Sequence, residues 1–319
     1  MLFDGSPVFA CKPGKACRRL AFAVTAIVSG PLACEAAENG LSNYLPGYYG
    51  DYAVAVAPAP GLYVYGTVYS YSGSPEGPKL NENVNLDATL YLTGFQYVTD
   101  RKFLDARVAF GSYTVFINGD LDATVPTSSG PLDIFDHAVG HGDTSFSPVI
   151  LYWTLANNWH VSAYESIIAP TGRYDHREPL NVGRNYYSFD TVVPVTWLDP
   201  KAGWEVSLVP GLMINTENPE TDYRTGTEFH LDAMLNRYLS QTFAVGLHGY
   251  AYTQLESDSG RGATASDLKG SSLALGPSIL WVPSSLGIKG KIVGKWLHEF
   301  EAENRFEGDI ISLTGVLSF

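Results

Sequence analysis

The stretch GDIISLTGVLSF, residues 308–319, decides the fold. Ile311, Leu313, Gly315, Leu317 and Phe319 occupy every second position, and Ser312, Thr314 and Ser318 lie between them. This is the period of a strand with one apolar face. Chain ends usually fray into polar residues unless something ties them down. Here the alternation runs out to an aromatic residue, so the strand needs a partner along its whole length.

The same period recurs upstream. Leu86, Ala88, Leu90 and Leu92 alternate with Asn85, Asp87, Thr89, Tyr91 and Thr93; Phe229, Leu231, Ala233 and Leu235 alternate with Glu228, His230, Asp232 and Asn236. Phe243, Val245, Leu247, Gly249 and Ala251 alternate with Gly246, His248, Tyr250 and Tyr252. A soluble antiparallel sheet also alternates, so spacing must decide. The pattern predicts about twelve strands, near 61–72, 84–98, 102–118, 146–155, 159–168, 185–197, 203–215, 224–239, 241–256, 270–283, 286–300 and 308–319. Their connections alternate between short ones, such as 99–101, 156–158 and 198–202, and long ones, at 73–83, 119–145, 169–184, 216–223, 257–269 and 301–307.

Short turns on one side and long loops on the other are the pattern of an outer-membrane barrel with both termini in the periplasm. A β-sandwich has no reason to sort its loops in this way. Trp153, Trp159, Trp197, Trp204 and Trp281 all fall beside short turns, as expected of a girdle where lipid tails meet headgroups. The final strand resembles the closing strand of such barrels, whose terminal aromatic residue is read by the barrel-assembly machinery. Phe319 would play that part, and lipid and lipopolysaccharide would surround the wall. The fold class expected is all-β, a transmembrane antiparallel barrel.

The start of the chain agrees. Lys12, Lys15, Arg18 and Arg19 precede the apolar run Leu20 to Val28 and then small residues, the order of a secretory signal peptide cleaved after Ala36. The apolar run is too short for a helical anchor, which needs ~18 residues. Leu32, Ala33 and Cys34 resemble the end of a lipobox, from which Pro31 departs, so lipidation of Cys34 stays open. Residues 1–36 are thus read as leader, 37–60 as an arm and 61–319 as the barrel, in the outer membrane of a Gram-negative bacterium. All three cysteines, Cys11, Cys17 and Cys34, precede the cut, so no disulfide or thiolate remains. The leader to Ala36 has four basic residues and two acidic ones, so its removal takes the net charge from −13 to −15. A chain this acidic is a poor partner for nucleic acid.

Five stretches carry a family resemblance: ENGLSNYLPGYYGDYAVAVAPAPGLYVY, APTGRYD, GWEVSLVPG, ENPETDYRTGTEFHLD and VGLHGYAYTQLESDSG. Together they resemble the outer-membrane family named for the meta-pathway of phenol degradation, from about Glu38 to Phe319. The resemblance implies a β-barrel and a transport role in aromatic catabolism. It supplies no catalytic residues.

A barrel of this size lies between those filled by side chains and the wide porins. Alternation places Asp87, Tyr91, Asp105, Arg107, Tyr113, Tyr186, Asp190, Glu205, Glu228, His230, Asp232, His248, Tyr250, Tyr252, Lys289, Lys291, Lys295 and Glu299 on the inner face. Charges of both signs there serve to stabilise the barrel, and the tyrosines suit a small aromatic substrate. Glu165 would point at lipid, so a bulge near Ser162–Glu165 is expected to turn it away. Pro46, Pro58 and Pro60 oppose a regular helix or central strand, and Tyr44, Tyr48, Tyr49 and Tyr52 favour an ordered arm packed in the periplasmic mouth or lumen. The candidate substrate path is therefore Tyr44, Tyr48, Tyr49, Tyr52, Tyr91, Tyr113, Tyr186, Glu228, His230, Asp232, His248, Tyr250 and Tyr252.

The reading is a channel for small aromatic or hydrophobic compounds. Its alternatives are a general diffusion porin and a barrel-embedded lipid hydrolase. A hydrolase needs a nucleophile beside a held base, and none of the seven histidines sits in such a pattern. The loop motif DHAVGH (Asp136, His137, His141) lacks the geometry of a metal site, GRGATAS lacks the lysine of a phosphate loop, and ESDSG and NPETD lack calcium-loop spacing. No cofactor, metal or catalytic residue is expected.

Overall fold

The computed structural model describes residues 36–75, 84–127, 130–263 and 268–319. All of the expected leader except Ala36 lies outside them. The alternating stretches form β1 (Gly61–Pro75), β2 (Val84–Phe103), β3 (Ala106–Thr127), β4 (Gly130–His141), β5 (Thr144–Thr154), β6 (Trp159–Ala169) and β7 (Ser188–Val192). They continue as β8 (Val195–Asp199), β9 (Trp204–Asn215), β10 (Glu228–Tyr238), β11 (Phe243–Gln254), β12 (Ser271–Trp281), β13 (Gly290–Glu303) and β14 (Phe306–Ser318).

These segments build a closed antiparallel barrel of 12 wall positions. The two extra segments each share a position with a neighbour. β7 and β8 form one wall strand interrupted at Val193–Pro194. The proline cannot donate to the ladder, yet its carbonyl accepts from Ser162 N at 2.8 Å and Val193 N still donates to Pro210 O at 3.0 Å. β4 pairs with the upper half of β3, while β5 pairs with its lower half, so the expected loop at 119–145 is mostly a projecting hairpin. The expected loop at 301–307 is likewise a turn at Asn304–Arg305, where Asn304 adopts φ 53°. Asparagine tolerates that left-handed conformation.

The final strand does what its period requires. β14 pairs with β1 from Tyr63↔Ser318 to Pro75↔Phe306, and with β13 on its other edge. Phe319 N donates to Leu62 O at 2.8 Å, so the seam is zipped to the end. Ile311, Leu313, Leu317 and Phe319 face outward and are exposed. Trp159, Trp204 and Trp281 are also exposed at the short-turn end, consistent with a lipid-facing girdle. No helix among the described residues is long and apolar enough to cross a membrane. The strands span it.

Glu165 departs from expectation. The register slips between Phe146 and Ile150, opposite Ile167 and Tyr164, and the same slip is seen against β3. The bulge therefore lies in β5, around Pro148, rather than at Ser162–Glu165. Strict alternation persists in β6, and Glu165 points outward, where Thr191 Oγ1 donates to its carboxylate at 2.6 Å.

Candidate functional site

Residues 36–60 run through the bore of the barrel. At the long-loop end, Ala36 N donates to Asn304 O at 3.1 Å, and the turn Glu38–Gly40 follows. At the short-turn end, the Tyr63 hydroxyl donates to Ala59 O at 2.9 Å and β1 begins. The strand ends Gly61 and Ser318 share one side, as an even strand number requires. Ala36 lies on the other side, so the expectation that both termini share one side is corrected for the arm: an even strand number fixes the ends of the wall strands and not those of a segment that runs between them.

Wall side chains hold this arm by its backbone. Lys295 Nζ donates to Gly47 O at 2.6 Å and to Gly50 O at 2.7 Å. Gly50 N donates to Asp232 Oδ1 at 3.1 Å, and Ala53 N to Glu205 Oε1 at 2.8 Å. Lys291 Nζ meets Asp51 Oδ2 at 2.6 Å. The Tyr69 hydroxyl donates to Pro46 O at 3.0 Å. Gly47 turns at φ 64°, and a Cβ there would strike Leu297 Cδ1, so the tightest point of the arm requires glycine.

The arm's tyrosines pack on the residues that alternation placed inside. The Tyr44 and Tyr49 rings each lie 4.6 Å from His230, and Tyr44 stacks on Tyr252 at 5.3 Å. His230 Nε2 lies 3.1 Å from Asp190 Oδ1, and the Tyr49 hydroxyl donates to Asp190 Oδ2 at 2.6 Å. The Tyr44 hydroxyl reaches Asp232 Oδ2 at 3.4 Å. Tyr48 packs against Tyr113 at 5.7 Å. The Tyr52 hydroxyl bonds Ser278 Oγ at 2.8 Å, and its ring lies 5.3 Å from His248, whose Nε2 faces Asn236 Oδ1 at 2.9 Å. Glu228 accepts from Tyr252 at 2.6 Å and from Asn215 Nδ2 at 2.8 Å. Glu299 accepts from Tyr71 at 2.8 Å and from Tyr250. The buried carboxylates are thus consumed by the arm and by wall phenols, which satisfies groups that would be costly if left unpaired.

Above this packed section, toward the long loops, a cavity of about 170 Å³ lies between the arm and the wall. Leu41, Leu45 and Pro46 form its arm side; Leu86, Ala88, Leu90 and Leu92 of β2 and Val115 and Ile117 of β3 form its wall side. Polar and charged groups also reach it, from Asn43, Tyr71, Asp143, Arg184, Glu299 and Arg305.

Of the candidate path, Tyr44 and Tyr113 line this cavity, and most of the others form the packed section beneath it. Tyr186 is buried in the long-loop mouth, with its hydroxyl 3.5 Å from Thr225 Oγ1. Tyr91 is a correction. It is 50% exposed on the outer face, and Asp87 also lies outward. On β2 it is the leucines that face the bore, because alternation defines two faces without saying which one meets lipid. Asp105 sits at φ 63° in the two-residue turn between β2 and β3, and Lys289 is exposed ahead of β13; neither faces the lumen. The cavity-lining leucines were visible as an alternating set. Tyr69 and Tyr71 carried the same signal in β1 and were missed.

A family model described as "Putative MetA-pathway of phenol degradation" matches residues 71–314. The chain belongs to this family. Among solved structures, this phenol-degradation family member is similar to an outer membrane channel from Pseudomonas putida F1, with 15% identity, a TM-score of 0.69, and coverage of 85% of this chain and 100% of that one. The NanC porin aligns at 10% identity and a TM-score of 0.43 over 81% of this chain and 98% of its own. A FadL homologue from Pseudomonas aeruginosa aligns at 8% identity and 0.37 over 81% and 88%. No curated relative matches at the level of sequence. The fold is that of an outer-membrane channel, and the protein is an outer-membrane protein.

Proposed function

We propose that the barrel is a passive route across the outer membrane for small apolar or aromatic compounds, phenols among them. The long loops face outward, and Gly61 and Phe319 lie on the periplasmic side. The observation that carries this reading is the cavity held between the arm and β2–β3, apolar over most of its lining. A cavity of ~150 Å³ in another protein takes up benzene, so about 170 Å³ has room for one substituted ring. The Tyr71 hydroxyl at its edge donates to Glu299 and keeps its own oxygen free to accept from a phenolic hydroxyl. The family's description points to the same chemistry. A general diffusion porin needs an open aqueous bore, whereas here the arm fills the section below the cavity.

The accompanying readings belong to the same proposal. The leader to Ala36 directs export, and the exposed Phe319 presents the closing strand to the assembly machinery. Lipid and lipopolysaccharide contact the outer face and long loops.

Uptake of phenol and of a polar solute of equal size into proteoliposomes tests the route. Wild type should favour phenol, and Leu90→Asp, which places a charge in the cavity wall, should abolish that preference while the barrel still assembles. Equal entry of both solutes would mark a general porin. Release of fatty acid from the liposomes, lost in His230→Ala, would replace the channel with a hydrolase.

A further inference from the structure

Two carboxylates, Glu38 and Asp258, are buried in the long-loop mouth. Glu38 accepts from the Tyr174 hydroxyl at 3.0 Å, Asn218 Nδ2 at 2.9 Å and Thr221 Oγ1 at 2.7 Å. Asp258 accepts from Gly226 N at 2.9 Å, from Gln254 Nε2 and from the Tyr223 hydroxyl. Burial and the charge of Asp258 hold the Tyr223 phenol well above its usual range, so it remains a neutral donor. The remaining partner of Asp258 is the backbone nitrogen of Ala37, 2.9 Å from Oδ2.

Among the described residues, no cationic side chain lies within ion-pair distance of Asp258. The Arg305 guanidinium lies 4.2 Å over the Tyr252 ring with its Nη1 unpartnered, and it makes no ion pair with Asp258. A carboxylate this buried calls for a compensating cation. The atom aimed at it is the nitrogen of the residue that follows the expected cleavage site, where Cys34 and Ala36 supply the two small side chains a signal peptidase requires.

We propose that Asp258 is the seat of the processed amino terminus, and that leader removal locks the arm in the bore by creating its counter-ion. Water adds across the Ala36–Ala37 amide. The new carboxylate leaves with Ala36, and the new amine on Ala37 takes up a proton. A neutral amide donor to Asp258 becomes an ammonium, and the buried carboxylate gains the ion pair that the loops do not provide. The Asn304 carbonyl, which accepts from Ala36 N at 3.1 Å before cleavage, is freed one residue away for a second ammonium proton. The arm is then fastened at its far end by a charge that exists only after export, which ties occupation of the bore to maturation. This rests on the export reading, and its failure can be told apart from a failure of that reading.

The chain after Ala36 contains no cysteine, so Ser42→Cys puts a single thiol on the arm. Protein recovered from outer membranes should have the mass of a chain starting at Ala37. A membrane-impermeant maleimide added to whole cells should label that thiol slowly, and Asp258→Asn should speed labelling about tenfold or more, as expected for a broken buried pair. A leader altered so that cleavage leaves Gly-Ser-Gly-Ser ahead of Ala36 keeps Asp258 but puts an amide at the seat, and it should speed labelling equally. Heat-modifiable migration in gels reports assembly of each variant. If Asp258→Asn does not assemble, the extended chain carries the test. A start other than Ala37, or an assembled extended chain that labels at the wild-type rate, overturns the proposal. Loss of the heat-modifiable band from the wild type itself would instead sink the barrel and export reading.

Discussion

Lys295→Met tests whether the arm sets the bore. The Lys295 ammonium donates to two arm carbonyls, at 2.6 and 2.7 Å, from a position where its stem is packed among wall residues. Methionine preserves most of that packing and removes the two bonds. Hydrogen bonds to a charged group contribute about 1.5–3 kcal/mol each, so about 3 kcal/mol or more of gross attachment is lost. Relief from burying an ammonium offsets part of this, and leaving the buried Asp232 with less compensation adds to it. A net weakening of about 2–3 kcal/mol shifts the open fraction of the arm roughly 30- to 150-fold. In planar bilayers the wild type should show a small, steady conductance, and K295M should flicker into a larger state whose occupancy rises by that factor. If the variant assembles, judged by heat-modifiable migration, and its conductance trace matches the wild type, then the arm does not close the bore and the argument fails.

Gly47→Val should loosen the arm by about 1–3 kcal/mol, because its left-handed φ is strained for a β-branched residue and its side chain meets Leu297; thiol labelling of the arm reads this. Tyr91→Ser should leave phenol entry unchanged, since the ring faces lipid; a change in selectivity would restore it to the path. Glu165→Leu removes an outward carboxylate and should raise the temperature at which the barrel's heat-modifiable band is lost; a lower temperature would mean that the bond to Thr191 outweighs burial in lipid. Deleting Phe319 should reduce the amount of barrel in the outer membrane, measured by quantitative blotting of membrane fractions.

The barrel was legible from residues 308–319 outward because closure leaves marks that no other feature imitates. The last strand must pair to its end, short turns must fall on one side, and tryptophans must gather there. Face assignment was less legible. Along β2, Leu86 to Leu92 were expected to face lipid, yet they line the cavity, and nothing in a period of two distinguishes an apolar lumen from an apolar exterior. The slip at Pro148 exchanges the two faces of β5 part-way along. From sequence it was sought instead at Glu165, the residue that looked costly. The arm's tyrosines predicted order in the bore. Their partners Lys295, Asp232 and Glu205 could be expected to lie inside, but their attachment to arm carbonyls and amides depends on where the backbone turns at Gly47 and Gly50. The far end of the arm left no periodic signal.

A segment that runs down the bore and joins directly onto β1 constrains the order in which the molecule can be made. The seam between β1 and β14 brings together the two ends of the strand array, joining Tyr63 to Ser318. Folded chains avoid threading a segment through a closed ring, which favours placing the arm before the wall is shut. Its bonds to Glu205, Asp232, Ser278, Lys291 and Lys295 let the arm lie against the inner faces of β9 to β13 while the seam is still open. Zipping β14 onto β1 then encloses it, so the C-terminal strand acts as the last stave driven into a cask that has already been filled.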